Sequence, residues 1–415
     1  MSTISLPSVS SAFFSPALNL VVDCLHHREC PELPDAAWIH FGIDRVLQDI
    51  SSGRGYLQQY GYRSGDCPRR ANYFESLKSQ RRLRLVTEVN TRLIHALSPS
   101  LEDPLARDEE LADFDLYAGD GHWHGAAAHD APIDGKKRAV GHAYALDLRR
   151  HLLCHLELAQ GKHEHDIHLL KRLEGQQLRH HAPKGRKVLY VWDKAGIDFP
   201  AWHRWKNSHG VYFISLEKEN MKLKVQGLPE WDRQDPVNAG IECVEWVAGG
   251  AGVMLRRIRY LEPIAGEVLS FLTSEMKVRP GLIAFLYKLR WDVEKVFDEL
   301  KNRFSEQQAW ASSPTAKNIQ AQFICLAHNL VLWVDAKLKQ EGIENRAELD
   351  RKEKQFKVEI LAAAKAGRKI PAPVLAIRRL TQRSVKLLRW LKSSLLDRIA
   401  WDAATPRLRV LYATL

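Results

Sequence analysis

The stretch from Tyr287 to Phe304, YKLRWDVEKVFDELKNRF, decides how this chain is read. At about 100° per residue its apolar members, continued backwards by Leu282, Phe285 and Leu286, fall with Leu289, Val293, Val296, Phe297 and Leu300 on one wide arc. Lys288, Asp292, Lys295, Asp298 and Glu299 fill a second sector, expected to face solvent. Tyr287, Arg290, Glu294 and Lys301 lie within roughly 60° of one another on a third. The spacing thus predicts one continuous helix with an aligned phenol, guanidinium, carboxylate and ammonium. A helix edge carrying ordinary i,i+4 ion pairs has the same spacing, so periodicity leaves both readings open.

The bulk composition narrows the partners. The chain has 415 residues, 45% apolar and 27% charged, with a net charge of +11. That length allows two or three domains, and the excess of Lys and Arg favours a polyanionic partner. No run of about 18 apolar residues is present, so no membrane span is expected. The opening MSTISLPSVSSAFFSPALNLVVDC lacks a basic leader and carries Pro16, which argues against a cleaved signal and for the cytosol. Six cysteines occur without CxxC pairs, which is not a disulfide framework. Cys24 and Cys30 bracket His26 and His27, but no second half-site follows, so packing is preferred there to zinc.

Working upstream, RKVLYVWDKAG is an apolar, β-branched run ending at Asp193, the pattern of a buried strand that opens on a site. Before it, DFDLYAGDG, KRAVGHAYALDL and HLLCHLELAQG read as three short strands, and HDIHLLKRLEGQQLR as a helix. After it, FPAWHRWKNSHG reads as a short helix and VYFISLE as a strand. The order predicts a mixed α/β core. Residues 218–278 break the alternation: EWVAGG and AGVMLRRIRYLEP read as a hairpin, because a strand follows GGAG where a phosphate loop requires a helix. Residues 1–108 read as helical with polar breaks at CPELPDA and SSGRGYLQQYGYRSGDCPRR. Within them, NYFESLKSQRRLRLVTEVNTRLIHAL is a basic amphipathic helix whose Lys78, Arg81 and Arg82 suit phosphate contact, a solvated face being the alternative. Residues 336–415 read as a helical, basic C-terminal region.

Three acids stand where such a fold brings elements together: Asp120 on the first strand, Asp193 after VLYVW, and Glu294. Clustered carboxylates repel and require divalent cations, and a pair of cations supports phosphodiester cleavage. Asp115 is the main rival for Asp120. Asp113, Asp130 and Asp198 are weaker ones. His122, His124 and His129 are placed beside the site rather than on magnesium, which prefers oxygen. Trp231, Trp246 and Trp291 read as packing residues from the sequence alone.

Taken together, Asp120, VWDKAGIDF with Asp193, and Tyr287, Arg290, Glu294 and Lys301 resemble the DDE transposases of bacterial insertion sequences, specifically insertion-sequence family four with its Tyr-Arg-Glu-Lys motif. The resemblance spans roughly residues 110–335. It implies a ribonuclease H-like core (109–217) with a β-rich insertion (218–278) before the catalytic helix (279–335). It implies that Asp120, Asp193 and Glu294 hold two Mg2+ ions, with Mn2+ able to substitute, and that Tyr287, Arg290 and Lys301 hold DNA phosphates. For Trp231, Trp246 and Trp291 it implies stacking on an unpaired base. The implied partners are the element's terminal inverted repeats and target DNA, bound by a dimer in a synaptic complex at the bacterial nucleoid; the end-binding role expected of residues 1–108 rests on their charge rather than on the resemblance. A tyrosine nucleophile at Tyr287, a catalytically silent DNA-binding derivative, and a metal-dependent nuclease that never joins strands are the competing readings.

Overall fold

The computed structural model describes residues 32–48, 52–65, 67–132, 135–160, 166–180, 182–304, 308–377, 385–396 and 399–413, with isolated positions before residue 32. Cys24, Cys30, His26 and His27 lie outside the described residues. The N-terminal region is helical: α1 (Asp35–Leu47), α2 (Gly53–Ser64), α3 (Arg70–Ser76) and α4 (Gln80–Leu97). Two expectations are corrected here. The predicted polar break at 51–70 contains helix α2, whose three glycines and weak apolar pattern hid it; the Ser52 side chain caps its first turn and Gly65, at φ 71°, ends it. The single helix predicted from Asn72 to Leu97 is two, because Ser79 leaves helical geometry and accepts the backbone N–H of Arg82 as an N-cap.

The core follows as β1 (Phe114–His124), β2 (Val140–Asp147), β3 (Leu153–Leu158), α5 (Asp166–Arg172), α6 (Gly175–Leu178), β4 (Lys187–Val191), α7 (Phe199–His209) and β5 (Val211–Leu216). Next come β6 (Lys224–Gly227), β7 (Ile241–Ala248), β8 (Met254–Leu261) and β9 (Val268–Thr273). The chain then turns helical: α8 (Pro280–Leu289), α9 (Trp291–Arg303), α10 (Pro314–Gln340), α11 (Arg346–Lys365), α12 (Ala372–Ala376), α13 (Val385–Leu396) and α14 (Trp401–Ala413).

Among the described residues the nine strands form one mixed sheet in the order β3-β2-β1-β4-β5-β9-β8-β7-β6. β1 pairs in parallel with β4, and β4 with β5, whereas β2 and β3 are antiparallel. This mixed sheet with helices on both faces is the α/β, ribonuclease H-like arrangement expected. The hairpin at 245–263 is present as β7 and β8. It does not stand apart, since β9 joins β5 and carries β6–β8 onto the core sheet.

The alternation along β4 explains its uniformly apolar sequence. Leu189 and Val191 face the main core under α1, α4, α8, α9 and α10, whereas Val188, Tyr190 and Trp192 face a second core with Trp202 and Trp205 of α7. Two covered faces require apolar residues at both parities. The main core is continuous from the N-terminal helices through the sheet to α14. α10 packs on α1, α4 and β3, and Gly42 is required at the α1 crossing, where a Cβ would come within 2.1 Å of the Phe323 ring.

Candidate active site

The register of β1 on β4 brings the first two acids together. Ala118 is the last β1 residue paired, opposite Val191, so Asp120 and Asp193 each lie two residues beyond that pair on neighbouring strands. Asp120 was expected at the strand end; instead β1 runs on to His124, because β2 continues to pair with it after β4 has stopped. The divergence opens a small, solvent-open cleft lined by Asp120, Asp193, Gly119, Gly121 and Trp192. Such a crevice at the carboxyl ends of parallel strands is where open α/β sheets place ligands. Packing sets its width: the Trp192 indole stacks on Tyr190 at 5.1 Å between ring centroids and covers Gly119, where a Cβ would approach it to 2.2 Å. Asp120 accepts the backbone N–H of Gly121 at 2.8 Å and Asp193 that of Lys194 at 2.6 Å, which holds both carboxylates in place.

Alternation along β1 turns Asp120, like Leu116 and Ala118, toward the face covered by α9. There it meets Arg290, whose guanidinium donates to Asp120 at 3.4 Å and to Glu294 at 2.9 Å. Arg290 is 5% exposed, and it lies 5.6 Å from the Tyr287 ring centroid and 5.3 Å from that of Trp291. Its backbone corrects the expected continuous helix: the Arg290 N–H bonds the Tyr287 carbonyl, and the Val293 N–H bonds the Arg290 carbonyl. These tighter i→i+3 bonds separate α8 from α9. Burial works against the guanidinium charge, yet Tyr287, Asp120, Glu294 and Asp193 hold its pKa above the usual value. The Tyr287 phenol is also raised, chiefly by burial and further by Asp193 and Glu294, despite the opposing Arg290. A phenol held protonated disfavours a tyrosine nucleophile.

The solvent sector expected on this helix is corrected too. Asp292 and Glu299 are buried, and Asp292 meets Lys295 at 2.8 Å and His151 at 3.9 Å. The loop after β2 reaches over α9, a contact with no local sequence period. Lys301 is exposed two turns beyond Glu294, and Trp291 is 51% exposed beside Arg290.

The basic cluster at the start of α4 divides, Lys78 standing in the turn before the helix and Arg81 and Arg82 in its first turn. The Lys78 side chain is exposed and bonds Glu75 at 2.7 Å. Both Arg81 terminal nitrogens bond Asp35, at 2.7 and 2.8 Å. Arg82 is buried, pairs with Asp35 at 2.6 Å and lies 4.9 Å from the centroid of Trp38. Arg81 and Arg82 therefore fasten α4 to α1, which a phosphate contact would have to break. The rival acids also have local tasks: Asp115 binds Arg186, Asp130 binds Lys317 and the Ala127 N–H, and Asp198 caps α7. Trp231 and Trp246 are partly buried.

His122 and His124 are buried with His142, and His129 is exposed. The His142 and His155 rings meet at 3.0 Å. Burial lowers His155 to about 4, and His142 lies well below the usual range through burial and neighbouring imidazoles. These bases are neutral in the folded state, so their stabilising contribution is complete above about pH 6.5. It should fall as pH drops through 6.5 toward 4. Melting curves across that window should be flatter for His155→Phe than for wild type; equal pH dependence would overturn this. Sequence spacing could not have found His142 and His155, which join the cluster only through strand pairing.

Asp120, Asp193 and Glu294 are partly exposed carboxyl groups, the hard oxygen donors that Mg2+ prefers; the first two line the cleft, and Glu294 is joined to Asp120 through Arg290. Among the described residues no three His, Cys, Asp or Glu side chains are already gathered for a metal ion. Between Asp120 and Glu294 the Arg290 guanidinium supplies the positive charge instead. The donor chemistry fits divalent cations, provided Arg290 turns aside.

A family model described as "Transposase DDE domain" matches residues 117–330, more than half of the chain. No curated protein matches it.

Proposed function

Because the chain belongs to the transposase DDE domain family, whose members are enzymes that cut or transfer DNA strands, we propose that it moves an insertion sequence of family four, using Tyr287, Arg290, Glu294 and Lys301 as the Tyr-Arg-Glu-Lys motif. Residues 1–108 and 336–415 flank the core and contact the element's ends, and the working unit is a dimer that also binds target DNA. The observation that supports this reading best is the bridging of Asp120 and Glu294 by Arg290, with Asp193 two residues past the last β1–β4 pair, as Asp120 is. Among the described residues no helix is long and apolar enough to cross a membrane.

In this reading Asp120, Asp193 and Glu294 hold two Mg2+ ions, for which Mn2+ can substitute. Bound there, the ions would supply Lewis acidity for phosphodiester cleavage and strand transfer. The chain's own residues set the geometry. The backbone N–H groups of Gly121 and Lys194 fix two carboxylates. Arg290 forks onto a phosphate when it leaves Asp120, and Lys301 acts two turns on as a point charge. The half-exposed Trp291 offers a ring face to an unpaired base.

Incubating the protein with a donor plasmid and magnesium tests the reading: nicks at the element's ends and joined products are expected. Cleavage without joining would assign a nuclease, and end binding without cleavage a silent derivative. Arg290→Ala and Lys301→Ala should each weaken end binding and reduce its salt dependence by about one phosphate contact. Binding across a salt series checks this; an unchanged slope with unchanged processing would return both residues to a structural role.

A further inference from the structure

Helix α2 carries a surface that the catalytic core does not use. Its buried side consists of Tyr56, Leu57 and Tyr60. Tyr56 and Tyr60 pack on Phe41 of α1, and Tyr56 also packs on Tyr73 of α3. The Tyr56 hydroxyl donates to the Phe41 carbonyl at 3.0 Å, so α2 is held in one orientation. Arg54, Gln58 and Tyr62, at i, i+4 and i+8, project from the opposite side within an arc of roughly 80°. All three are exposed, Tyr62 to 93%, and none bonds another side chain among the described residues.

The chemistry of this face points to one occupant. α2 contains no Asp or Glu; its Arg63 lies on the Tyr56 side, donating to Gln48 and the Gln59 carbonyl, so Arg54 carries the positive charge of this face. Exposed Arg69 and Arg70 open α3, opposed by Glu32 at 3.9 Å from Arg69. An apolar protein partner would meet polar tips here, whereas duplex DNA offers phosphates for the arginines and base edges for the helix. A 12-residue helix is about 18 Å long and fits the major groove. Arginine and glutamine are the side chains that form paired hydrogen bonds with guanine and adenine edges.

We propose that α2 is the helix by which this chain reads a DNA sequence, with Arg54 and Gln58 on base edges and Tyr62 on the adjoining sugar-phosphate backbone. Arg69 and Arg70 hold phosphates. The proposal rests on the reading of the chain as a DNA-end-binding transposase, and it assigns specificity to a surface outside the matched domain.

The test uses the full chain and a pool of duplexes with a randomised 20-base-pair centre, selected and sequenced in parallel for wild type and Arg54→Ala/Gln58→Ala/Tyr62→Ala. Wild type should enrich a motif. The variant should lose that enrichment, with affinity for the selected duplex falling roughly 10- to 100-fold and affinity for an unselected duplex little changed. The three side chains are on the surface, so unchanged melting is expected and separates this result from misfolding. If the variant enriches the same motif with the same affinity, α2 does not read DNA. If it does so while losing a DNA-free oligomer, the face seats a second copy and the proposal also fails. Should wild type retain no duplex at all, the DNA-end-binding reading falls with it.

Discussion

Asp120→Asn, Asp193→Asn and Glu294→Gln are each expected to reduce strand nicking by about 10³-fold or more, with end binding equal to or slightly tighter than wild type. Each substitution preserves shape and removes one charge that holds a divalent cation. Metal stabilisation of a phosphoryl transition state is worth several kcal/mol, and each 1.36 kcal/mol is tenfold in rate. The same charge lies close to DNA phosphate, so its removal lowers repulsion in the ground state. Gel-shift affinity measured beside magnesium-dependent nicking separates the two effects. Glu294→Gln also frees one side of the Arg290 bridge, so its melting curve should accompany the assay. Full nicking by any one variant would remove that residue from the triad.

Asn329→Leu is expected to cost about 3–5 kcal/mol of stability, because it strands polar groups deep in the main core. The Asn329 side chain is fully buried. It accepts from the Leu153 N–H at 2.8 Å and donates to the Leu153 carbonyl at 3.1 Å and to Asn90 at 3.2 Å. Asn90 in turn donates to Gln322 at 3.2 Å. One amide therefore ties α10 to strand β3 and to α4, coupling the N-terminal helices to the sheet that carries Asp120. Leucine fills the volume and satisfies none of these groups. Denaturant unfolding followed by tryptophan fluorescence should show an earlier midpoint; an unchanged one would mean that the network contributes little.

Much of the fold is readable without coordinates because its signals are local. The apolar run Val188–Trp192, the alternation in Phe114–Leu116–Ala118 and the glycine turn between β7 and β8 depend on periods of a few residues. β6 and β9 escaped notice for the opposite reason: β6 is four largely exposed residues, and β9 is recognised as a strand through its partners β5 and β8. Helix α2 was hidden by Gly53, Gly55 and Gly61, which lower intrinsic helicity. Its tyrosines recover that loss by packing on α1 and α3.

What the sequence determined by itself was the α/β order of elements and the alignment of Arg290 with Glu294, since phase within one helix is a matter of counting; the place of Tyr287 beside them lies across the break between α8 and α9. Tertiary structure alone decided which charges are free to act. Arg82 carries the same charge as Lys78 and lies four residues away, but Asp35 and Trp38, more than forty residues distant, bury it. Asp292 falls in the polar sector of its helix, but the loop at His151 covers it. Asp120 and Asp193 become neighbours only through the parallel register of β1 and β4. Periodicity fixes where a side chain points relative to its own element. Whether it meets water, a counter-charge or another carboxylate depends on elements far away in the chain, and no local pattern encodes them.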